Sequence, residues 1–341
     1  MTVGSLGCGE SAADLGADEL VSSTRALVAH EQLAAGERHT LWLSTFGTVL
    51  ASGDSWAGQL GDGTNIDRTL PVQVSGLSSV VGISAGAHHS LALRSDGLVL
   101  AWGFNGLQQV GDGTTTNRFA PVPVFGPAIG IAAGYFHSLA LRPDGTVWSW
   151  GHNQPMAPIA GLTQVVDLAG GEGFSLALRA DGTVWGWYTD APTPTQVPGL
   201  TQVSAIVSGR RRAVALRADG TVWAWQAPQS TPPTQIPGLS NVVSVATGEN
   251  GQVLAIRADG TLWGWGANDC SQLGDGTTVS RTTPVQTVGP TFVVAVATGW
   301  RHSVARTADG SYWGWGCNEW GQVGDGTNNT WRYFPVRLPP L

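Results

Sequence analysis

The chain has 341 residues, 42% of them hydrophobic, and carries a formal net charge of −7 without a single lysine. This length and apolar content allow a substantial core, while 48 glycines and 19 prolines indicate many turns rather than disorder. An acidic chain with no run of basic residues lacks the positive surface that nucleic acids require. No apolar run approaches the length of a membrane span. We therefore expect neither a nucleic-acid partner nor a transmembrane segment.

Residues 1–26 are predicted to form an N-terminal tail. Within it, the stretch GSLGCGES from Gly4 to Ser11 is similar to the end of a bacterial lipoprotein signal, in which Cys8 would carry a lipid anchor. The positively charged and apolar segments that precede such a cysteine are missing here. A remnant of a signal and an ordinary tail therefore remain as alternatives. With the other two cysteines, Cys270 and Cys317, the chain shows neither a metal-ligand spacing nor a disulfide framework.

Most of the remaining chain repeats one phrase, which is clearest from Gly36, Gly86 and Gly299. Each copy carries a dipeptide ending in glycine between two runs of alternating large and small residues. This is a strong β-hairpin signal, because glycine accepts the positive φ of a tight turn. The dipeptides are 37 to 50 residues apart. They predict seven units, marked by Phe46-Gly47, Asp96-Gly97, Asp144-Gly145, Asp181-Gly182, Asp219-Gly220, Asp259-Gly260 and Asp309-Gly310.

Four extended runs are predicted in each unit. A run such as Leu91 to Leu93 precedes the turn, and in the run that follows it, period two places Trp148 and Trp150 on one face. Next comes a segment with proline, such as Pro71 to Val74, which is typical of an outer strand because proline cannot donate to a ladder. A final run such as Val80 to Ile83 leads into the next unit. Eleven of the 16 tryptophans lie in the runs after the turns, and we predict that they pack between sheets.

Seven units of four short strands predict an all-β fold. We expect a seven-bladed β-propeller of four-stranded blades that spans residues 27–341 as a single domain. Because an open ring would expose two sheet edges, we expect the ring to close by pairing of the N- and C-terminal segments. In that arrangement Leu27 to Leu33 lies against Pro335 to Leu338.

The repeated phrase resembles a known family. Its pattern is G-x-x-H-S-L-A-L-R-x-D-G-T-V-W-x-W-G, then G-Q-L-G-D-G-T, then R-x-x-P-V, and it resembles the regulator of chromosome condensation repeat from about Leu33 to Leu338. The resemblance implies a β-propeller. For function it implies little, because members include guanine-nucleotide exchange factors, a plant ultraviolet-B photoreceptor and secreted β-lactamase inhibitor proteins. Units three to five are short and similar to the inhibitors, whereas the longer units look like the exchange factor.

The G-D-G-T insert occurs in units one, two, six and seven, which are contiguous in a closed ring. One arc of the rim is therefore built up. A calcium site needs six or more oxygen ligands, whereas each insert supplies a single aspartate. We predict turn aspartates paired with the arginine that follows: Asp62 with Arg68, Asp112 with Arg118, Asp275 with Arg281 and Asp325 with Arg332.

Two further patterns concern polar residues next to apolar runs. Four histidines occupy one slot of different units, too far apart to share a metal ion. We interpret them as buried, hydrogen-bonding residues at strand starts: His39, His89, His137 and His302. Arg306 stands where the other units place leucine or isoleucine. Because an unpaired buried charge is very costly, it indicates a functional position beside the channel or a local shift between units seven and one, and we favour the shift.

Just before the histidine slot, two residues differ in every unit although their flanks repeat. We predict that these pairs form loops on one face, circling the channel, and by resemblance the same positions carry the dimer contact of the photoreceptor. Tyr, Trp and Arg are also enriched among binding hot spots. Trp56, Trp320 and Trp331 in neighbouring inserts either extend this surface or pack the loops. The candidate binding residues are Trp300, Arg301, Tyr135, Phe136, Arg210, Arg211, Glu37, Arg38, His88, Glu172, Glu249 and Asn250.

The sequence contains no paired carboxylates, nucleophile motif, Walker loop or dinucleotide fingerprint, so we expect no catalytic residue, metal or cofactor. The leading hypothesis is a non-enzymatic scaffold that binds a protein partner, exported or at the cell surface of a bacterium; a cytoplasmic location is the alternative. Two further hypotheses are an inhibitor of a bacterial enzyme and a guanine-nucleotide exchange-like regulator. A different class is an enzyme, such as a hydrolase or lyase, which would bring carboxylates or histidines with shifted pKa values to the channel mouth.

Overall fold

The computed structural model describes residues 32–228 and 231–340. Within these ranges the chain forms seven antiparallel sheets of four strands each, and no helix there is long and apolar enough to cross a bilayer. The all-β, seven-bladed propeller with four-stranded blades is confirmed. The predicted tail of residues 1–26, with Cys8, lies outside the described residues.

Each blade uses four consecutive strands, of which the first lines the central channel and the last lies at the outer edge. Blade 1 contains β1 (Leu33–Ala35), β2 (His39–Leu43), β3 (Val49–Gly53) and β4 (Arg68–Gln73). Blade 2 contains β5 (Val80–Ala85), β6 (His89–Arg94), β7 (Val99–Gly103) and β8 (Arg118–Phe125). Blade 3 contains β9 (Gly130–Ala133), β10 (His137–Leu141), β11 (Val147–Gly151) and β12 (Gln154–Pro158).

The remaining four blades follow the same order. Blade 4 contains β13 (Val165–Gly170), β14 (Phe174–Arg179), β15 (Val184–Tyr188) and β16 (Ala191–Gln196). Blade 5 contains β17 (Val203–Ser208), β18 (Arg212–Arg217), β19 (Val222–Gln226) and β20 (Thr234–Gln235). Blade 6 contains β21 (Val242–Thr247), β22 (Val253–Arg257), β23 (Leu262–Gly266) and β24 (Arg281–Gln286). Blade 7 contains β25 (Val293–Thr298), β26 (His302–Thr307), β27 (Tyr312–Asn318) and β28 (Thr330–Arg337).

The predicted turns and outer strands are confirmed. Gly97 and Gly260 turn the chain between the second and third strands of their blades, with φ values of 86° and 78°. The aspartate before such a glycine closes the turn, since Asp219 accepts hydrogen bonds from both the backbone and the hydroxyl of Thr221. Prolines such as Pro71 lie in the outermost strands, where no further strand needs their missing donor.

The paired tryptophans of the third strands have two different environments. The second of each pair is buried: Trp150, Trp187 and Trp225 are at most 4% exposed, and Trp225 belongs to a core cluster built mostly by blade 4. The first is half-buried and stacks on an arginine, as Trp223 does with the Arg217 guanidinium 4.2 Å from its ring centre. In each of the five blades that carry the pair, blades 3 to 7, one tryptophan therefore packs between sheets, and in blades 3 to 6 its neighbour stacks on an arginine at the end of the blade.

Polar groups connect neighbouring blades through a shared carbonyl. Between blades 2 and 3, His89 Nε2 lies 2.9 Å from Ser138 Oγ, and this hydroxyl donates to the carbonyl of Gln109 at 2.8 Å. Trp150 Nε1 donates to the same carbonyl at 3.0 Å. Because Gln109 lies in the G-D-G-T insert of blade 2, the insert is fastened to the next blade. The same arrangement recurs with Ser90 and Trp102 on Gln59, with Ser303 and Trp315 on Gln272, and with Thr40 on Gln322.

The histidines of these junctions are neutral. Ser138 gives its single hydroxyl hydrogen to Gln109, so it must accept a hydrogen from His89 Nε2. His89 Nδ1 is then a bare acceptor, and it is buried without a hydrogen-bond partner among the described residues. The prediction of buried, hydrogen-bonding histidines is confirmed. Burial lowers the pKa to about 3 in three of them and well below 6.5 in the fourth: His89, His137 and His302, then His39.

The aspartates of the inserts close their own turns, as predicted. Asp62 Oδ1 accepts the backbone N–H of Thr64 at 2.9 Å, and its Oδ2 lies 2.7 Å from Arg68 Nη2. The other three inserts contain the same ion pair: Asp112 with Arg118, Asp275 with Arg281 and Asp325 with Arg332.

The ring closes without strand pairing between its described ends. β1 is the innermost strand of blade 1 and β28 the outermost strand of blade 7, so the two lie at opposite edges of neighbouring sheets and cannot pair. Closure instead uses side-chain packing, in which Leu33, Trp42 and Leu338 share one core cluster. The expected proximity of Leu33 and Leu338 is therefore confirmed, and the described ends do not pair with each other; the rest of the predicted segment, residues 27–31, lies outside the described part of the chain, and its pairing stays a prediction.

The predicted local shift at Arg306 is also wrong. Arg306 lies opposite Ala295 and Tyr312, in the register that Leu216 has in blade 5. Its side chain is half-buried, and Nη1 donates a hydrogen bond to Gln32 Oε1 at 2.6 Å.

A disulfide joins Cys270 to Cys317, whose Cα atoms are 5.3 Å apart. It links the insert of blade 6 to the third strand of blade 7, and both cysteines are buried. The cysteine spacing, which showed no disulfide framework, did not predict this bond. A separation of 47 residues carries no signal by itself, and the two cysteines meet only because this insert packs on the neighbouring blade.

We expect Trp225→Ala to lower the free energy of unfolding by about 3–5 kcal/mol, because it removes a core aromatic side chain between blades 4 and 5. Trp223→Ala is the matched control two residues away on the same face, and it should lower stability by roughly 1–2 kcal/mol. Urea unfolding measures both. A loss below about 1 kcal/mol for Trp225→Ala would show that this face is not packed.

Mild acid should destabilise the ring through its buried histidines. The unfolded chain takes up protons near pH 6.5, whereas the folded histidines do so only near pH 3, so stability is retained above pH 6.5 and lost as the pH falls between these values. Each histidine contributes up to about 1.4 kcal/mol per pH unit in this window. His89→Gln, which copies Gln252 in the same slot of blade 6, should reduce the slope of unfolding free energy against pH by one such contribution. Equal slopes for both proteins would contradict the prediction.

Candidate functional site

Seven loops join the first strand of each blade to the second, and the shared strand order places them on one face around the channel. We call them the mouth loops: Glu37–Arg38, Ala87–His88, Tyr135–Phe136, Glu172–Gly173, Arg210–Arg211, Glu249–Asn250 and Trp300–Arg301. Backbone bonds connect them from blade to blade, such as Glu172 N to the carbonyl of Arg210 at 3.0 Å. The glycine before each loop is needed for this closeness, since a Cβ on Gly86 would lie 2.4 Å from the carbonyl oxygen of Gly134.

Glu37 is the centre of one polar cluster at the mouth. Its Oε2 accepts a hydrogen bond from Tyr135 Oη at 2.9 Å and lies 3.3 Å from His88 Nε2, while its Oε1 lies 3.3 Å from Arg38 Nε. Burial, followed by the charge of Glu249 and the bond to Glu37, raises the pKa of Tyr135 above its usual value. Burial lowers the pKa of His88. Residues of three different loops therefore converge on one carboxylate.

Glu172 holds the two arginines of the next loop. Arg210 Nη2 donates to Glu172 Oε1 at 2.9 Å, and Arg211 Nε donates to Oε2 at 3.3 Å. The bond from Arg210 lowers the pKa of Glu172. The Arg210 guanidinium also lies 5.6 Å from the ring centre of Tyr135, which connects this pair to the first cluster.

An aromatic row extends from the mouth towards the rim across blades 3, 2 and 1. Ring centres are 4.5 Å apart for Tyr135 and Phe136, 6.4 Å for Phe136 and Phe104, and 5.4 Å for Phe104 and Trp56. Trp56 is 49% exposed and also contacts His88. Large rings that remain accessible in a continuous row form a surface rather than a core.

A second group lies where blades 7 and 1 meet. The Arg38 guanidinium lies 4.1 Å from the ring centre of Trp320 and 5.6 Å from that of Trp300. Arg301 stacks on Trp300 at 4.3 Å. Trp56 and Trp320 therefore do extend the mouth surface, whereas Trp331 lies on the outer strand β28.

The sequence analysis missed two contributors to this face, Asp269 and Phe104. Asp269 accepts a hydrogen bond from Asn250 and pairs with Arg301 Nη1 at 3.2 Å, so it joins the loops of blades 6 and 7. Phe104 connects Trp56 to Phe136. Both lie after the third strand, where the longer units differ in residue type, and this variation is the signal that could have found them.

Glu249 differs from the other carboxylates of the mouth. Its Oε2 is buried with no hydrogen-bond partner, and no ion pair of the described residues includes Glu249. Burial, followed by the charge of Glu37, raises its pKa to about 8. It lines a cavity of about 50 Å³ together with Tyr135 and Arg210.

The mouth offers little room or ligation for small-molecule chemistry. Ligand pockets usually enclose about 300–1,000 Å³, several times the volume of this cavity. No group of three or more histidine, cysteine, aspartate or glutamate side chains in the described ranges could hold a metal ion. The face can instead present stacked rings and arginines to another macromolecule.

Comparisons with known proteins agree with this architecture. A family model described as the regulator of chromosome condensation (RCC1) repeat matches residues 47–93 and 259–306, and a second model of that repeat matches residues 80–109, 128–154 and 293–322. These matches fall on blades 1–3 and 6–7 and leave the short blades 4 and 5 outside. A comparison with curated protein sequences found no match.

Many solved structures have a similar fold. Prp20p from Saccharomyces cerevisiae, studied for its binding to Gsp1p and histones, is 22% identical with a TM-score of 0.78, covering 88% of this chain and 87% of that chain. Human WBSCR16 is 23% identical with a TM-score of 0.71, covering 81% of this chain and 86% of the other. At these identities the likeness establishes the fold alone. The chain is therefore a seven-bladed propeller that contains, within blades 1–3 and 6–7, stretches similar to the regulator of chromosome condensation repeat.

Proposed function

We propose that the protein is a non-enzymatic scaffold that binds a protein partner through the mouth loops and the aromatic row beside them. One observation carries the proposal: accessible tryptophan, tyrosine and phenylalanine rings lie on four contiguous blades of one face, with arginines stacked on them where blades 7 and 1 meet. Tryptophan, tyrosine and arginine dominate the energetics of protein interfaces. Many of these side chains are already held by stacking and ion pairs, so binding would cost little side-chain entropy.

An enzyme with its site at the channel mouth is the second candidate. It is favoured by Glu37 and Glu249, two nearby carboxylates of which one has a raised pKa, the pattern expected of an acid–base site. Against it, both oxygens of Glu37 are occupied by neighbouring side chains. The cavity beside Glu249 is also too small to enclose a substrate. The balance favours a binding surface.

The class of partner that we propose is a protein. Prp20p, which shares the fold, is described as binding Gsp1p and histones, and a second structure of it contains Kap60. These examples support a protein partner for this chain. An exchange-like role and inhibition of a bacterial enzyme remain the alternatives within this class, and the short blades 4 and 5 motivate the inhibitor alternative.

We further propose that the protein is exported or exposed at the cell surface. The Cys270–Cys317 disulfide supports this location, because such bonds persist in oxidising compartments and are rare in the reducing cytosol. A cytoplasmic location remains the alternative.

Alanine substitution of Trp300 or Tyr135 should weaken partner binding by about 2 kcal/mol or more each, with little change in melting temperature. The partner is first captured with the wild-type protein and identified, and its affinity for each variant is then measured by calorimetry. Trp331→Ala, an exposed tryptophan on the outer strand, is the matched control and should bind normally.

Two outcomes would contradict the proposal. One is an affinity that survives both mouth substitutions and responds to the insert loops instead. The other is turnover of a substrate by a protein that captures no partner, which would favour the enzyme.

Peptide mapping of protein purified from its native compartment without reductant should yield a cross-linked fragment containing Cys270 and Cys317. Replacing both by serine should lower the free energy of unfolding by roughly 2–4 kcal/mol, because the bond closes a long loop of the unfolded chain. Free thiols at both positions in native material would contradict an oxidising location.

A further inference from the structure

Next to the mouth loops the channel contains a small cavity, which we call the constriction, and the residues that line it differ between blades. The residue just before the glycine that precedes each mouth loop is alanine or glycine in blades 1 to 4. In blades 5 to 7 it is serine or threonine, which carries a hydroxyl. In chain order these residues are Ala35, Ala85, Ala133, Gly170, Ser208, Thr247 and Thr298, and all seven line the same small cavity. One side of the constriction is therefore apolar and the other polar.

Three polar atoms on the hydroxyl side have no partner among the described residues. They are Ser208 Oγ, Thr298 Oγ1 and Glu249 Oε2, and all three are buried. Thr298 is only 7% exposed, so its hydroxyl is shielded from the solvent outside the channel. Thr247 between them is satisfied, because it donates to the carbonyl of Gln252. Buried polar atoms without partners are rare in folded proteins, so these three need hydrogen-bond partners from within the cavity.

The charges around the cavity indicate its sign. Glu37 is paired with Arg38, and Glu172 is paired with Arg210 and Arg211, whereas Glu249 has no cation in the described ranges. Arg210 faces the cavity too, but its guanidinium is already engaged by Glu172. The group that would pair with the Glu249 carboxylate is therefore positively charged.

We propose that this constriction is a socket for a primary ammonium group, bound by Glu249 with the hydroxyls of Ser208 and Thr298. An ammonium group has three N–H donors, which match the three unpartnered acceptors. A cavity of about 50 Å³ has room for an ammonium group, and Tyr135 is among the residues that line it. The ammonium belongs to a lysine of the protein partner, which rests on the proposed function, or to a small free amine, which does not.

Affinity should depend on pH in a defined direction. The groups that face Glu249 are Glu37, Glu172, Arg210 and Tyr135, and burial with the neighbouring carboxylates holds its pKa at about 8. An ammonium group binds the ionised form, so below pH 8 binding must first remove a proton. Affinity should therefore fall about tenfold for each pH unit below 8 and level off between pH 8 and 9.5, where a primary amine is still protonated.

The test uses the wild-type full chain and n-butylammonium as the probe, followed by ligand-observed NMR titration at pH 8.5 and pH 6. We expect a dissociation constant on the order of 1 mM at pH 8.5 and at least about tenfold weaker binding at pH 6. 1-Butanol, with the same chain and no charge, should bind far more weakly. An N-acetylated, C-amidated lysine is the second ligand: tighter binding of it assigns the socket to a partner's lysine, and tighter binding of the free amine assigns it to a small amine.

Glu249→Gln should weaken butylammonium binding at least about tenfold and abolish its pH dependence. Glutamine has the shape of the neutral glutamic acid, so this variant should fold normally, which its near-ultraviolet circular dichroism checks. Glu319→Gln is the matched control, an exposed carboxylate of the blade 7 insert that does not line the cavity, and should bind the probe like the wild type. Ser208→Ala and Thr298→Val should each weaken binding about three- to tenfold.

Butylammonium that binds no better than 1-butanol, or equally well to wild type and Glu249→Gln, would overturn the socket. This outcome would not contradict the proposed partner-binding surface, because partner binding is measured separately with the Trp300 and Tyr135 variants. Trp300 separates the two proposals, because it does not line the cavity and its alanine variant should bind butylammonium like the wild type.

Discussion

The carbonyl group of one insert glutamine in each longer unit is the contact on which much of this ring depends. It accepts a serine or threonine hydroxyl at four of the seven junctions, and an indole N–H as well at three of them. A buried carbonyl oxygen needs hydrogen-bond donors, and the bonds from these side chains hold the insert in one orientation. The inserts in turn carry Trp56, Phe104, Asp269 and Trp320, which means that blade-to-blade cohesion also fixes the outer part of the mouth surface.

The residues that repeat in the blades and the residues that differ between them have different roles. Glycines repeat at the constriction because the carbonyl of the next blade occupies the space of a Cβ, and tryptophans repeat because each fills the gap to its neighbour. Nothing in the packing dictates the residues of the mouth loops. Their variation gives one aromatic arc on blades 1 to 3, an arginine–tryptophan stack at the closure, and a polar arc on blades 5 to 7.

The repeat pattern predicted the features that each unit builds within itself. The turn at Gly97, the outer position of Pro71 and the burial of Trp225 follow from local periodicity and from the chemistry of glycine, proline and indole. The turn aspartates and the neutral histidines were also predictable, because their roles depend on one repeat and its immediate neighbour. The face that carries Tyr135 and Trp300 could be inferred because loop positions diverge where packing places no demand on them.

Features that join different units could not be predicted from the repeat pattern. The Cys270–Cys317 bond, the bridge through Asp269 and the isolation of Glu249 depend on which side chains of separate repeats face one another. The manner of closure at the described ends was missed for a related reason, since the strand order within a blade, and not the number of repeats, decides whether the chain ends can pair.

The short blades 4 and 5 have a further consequence for how the ring moves. They lack the inserts, so their junctions contain no glutamine carbonyl relay, and the histidine slot holds Phe174 and Arg212. Apolar packing, a few surface ion pairs and a 3.4 Å contact from Ile206 N to Asp167 hold this sector together. A closed ring opens at its least cohesive seam, and local opening in proteins begins where such cross-links are fewest. Amide exchange should therefore be fastest here, next to the disulfide-linked blades 6 and 7, and the hydroxyl side of the constriction borders this seam.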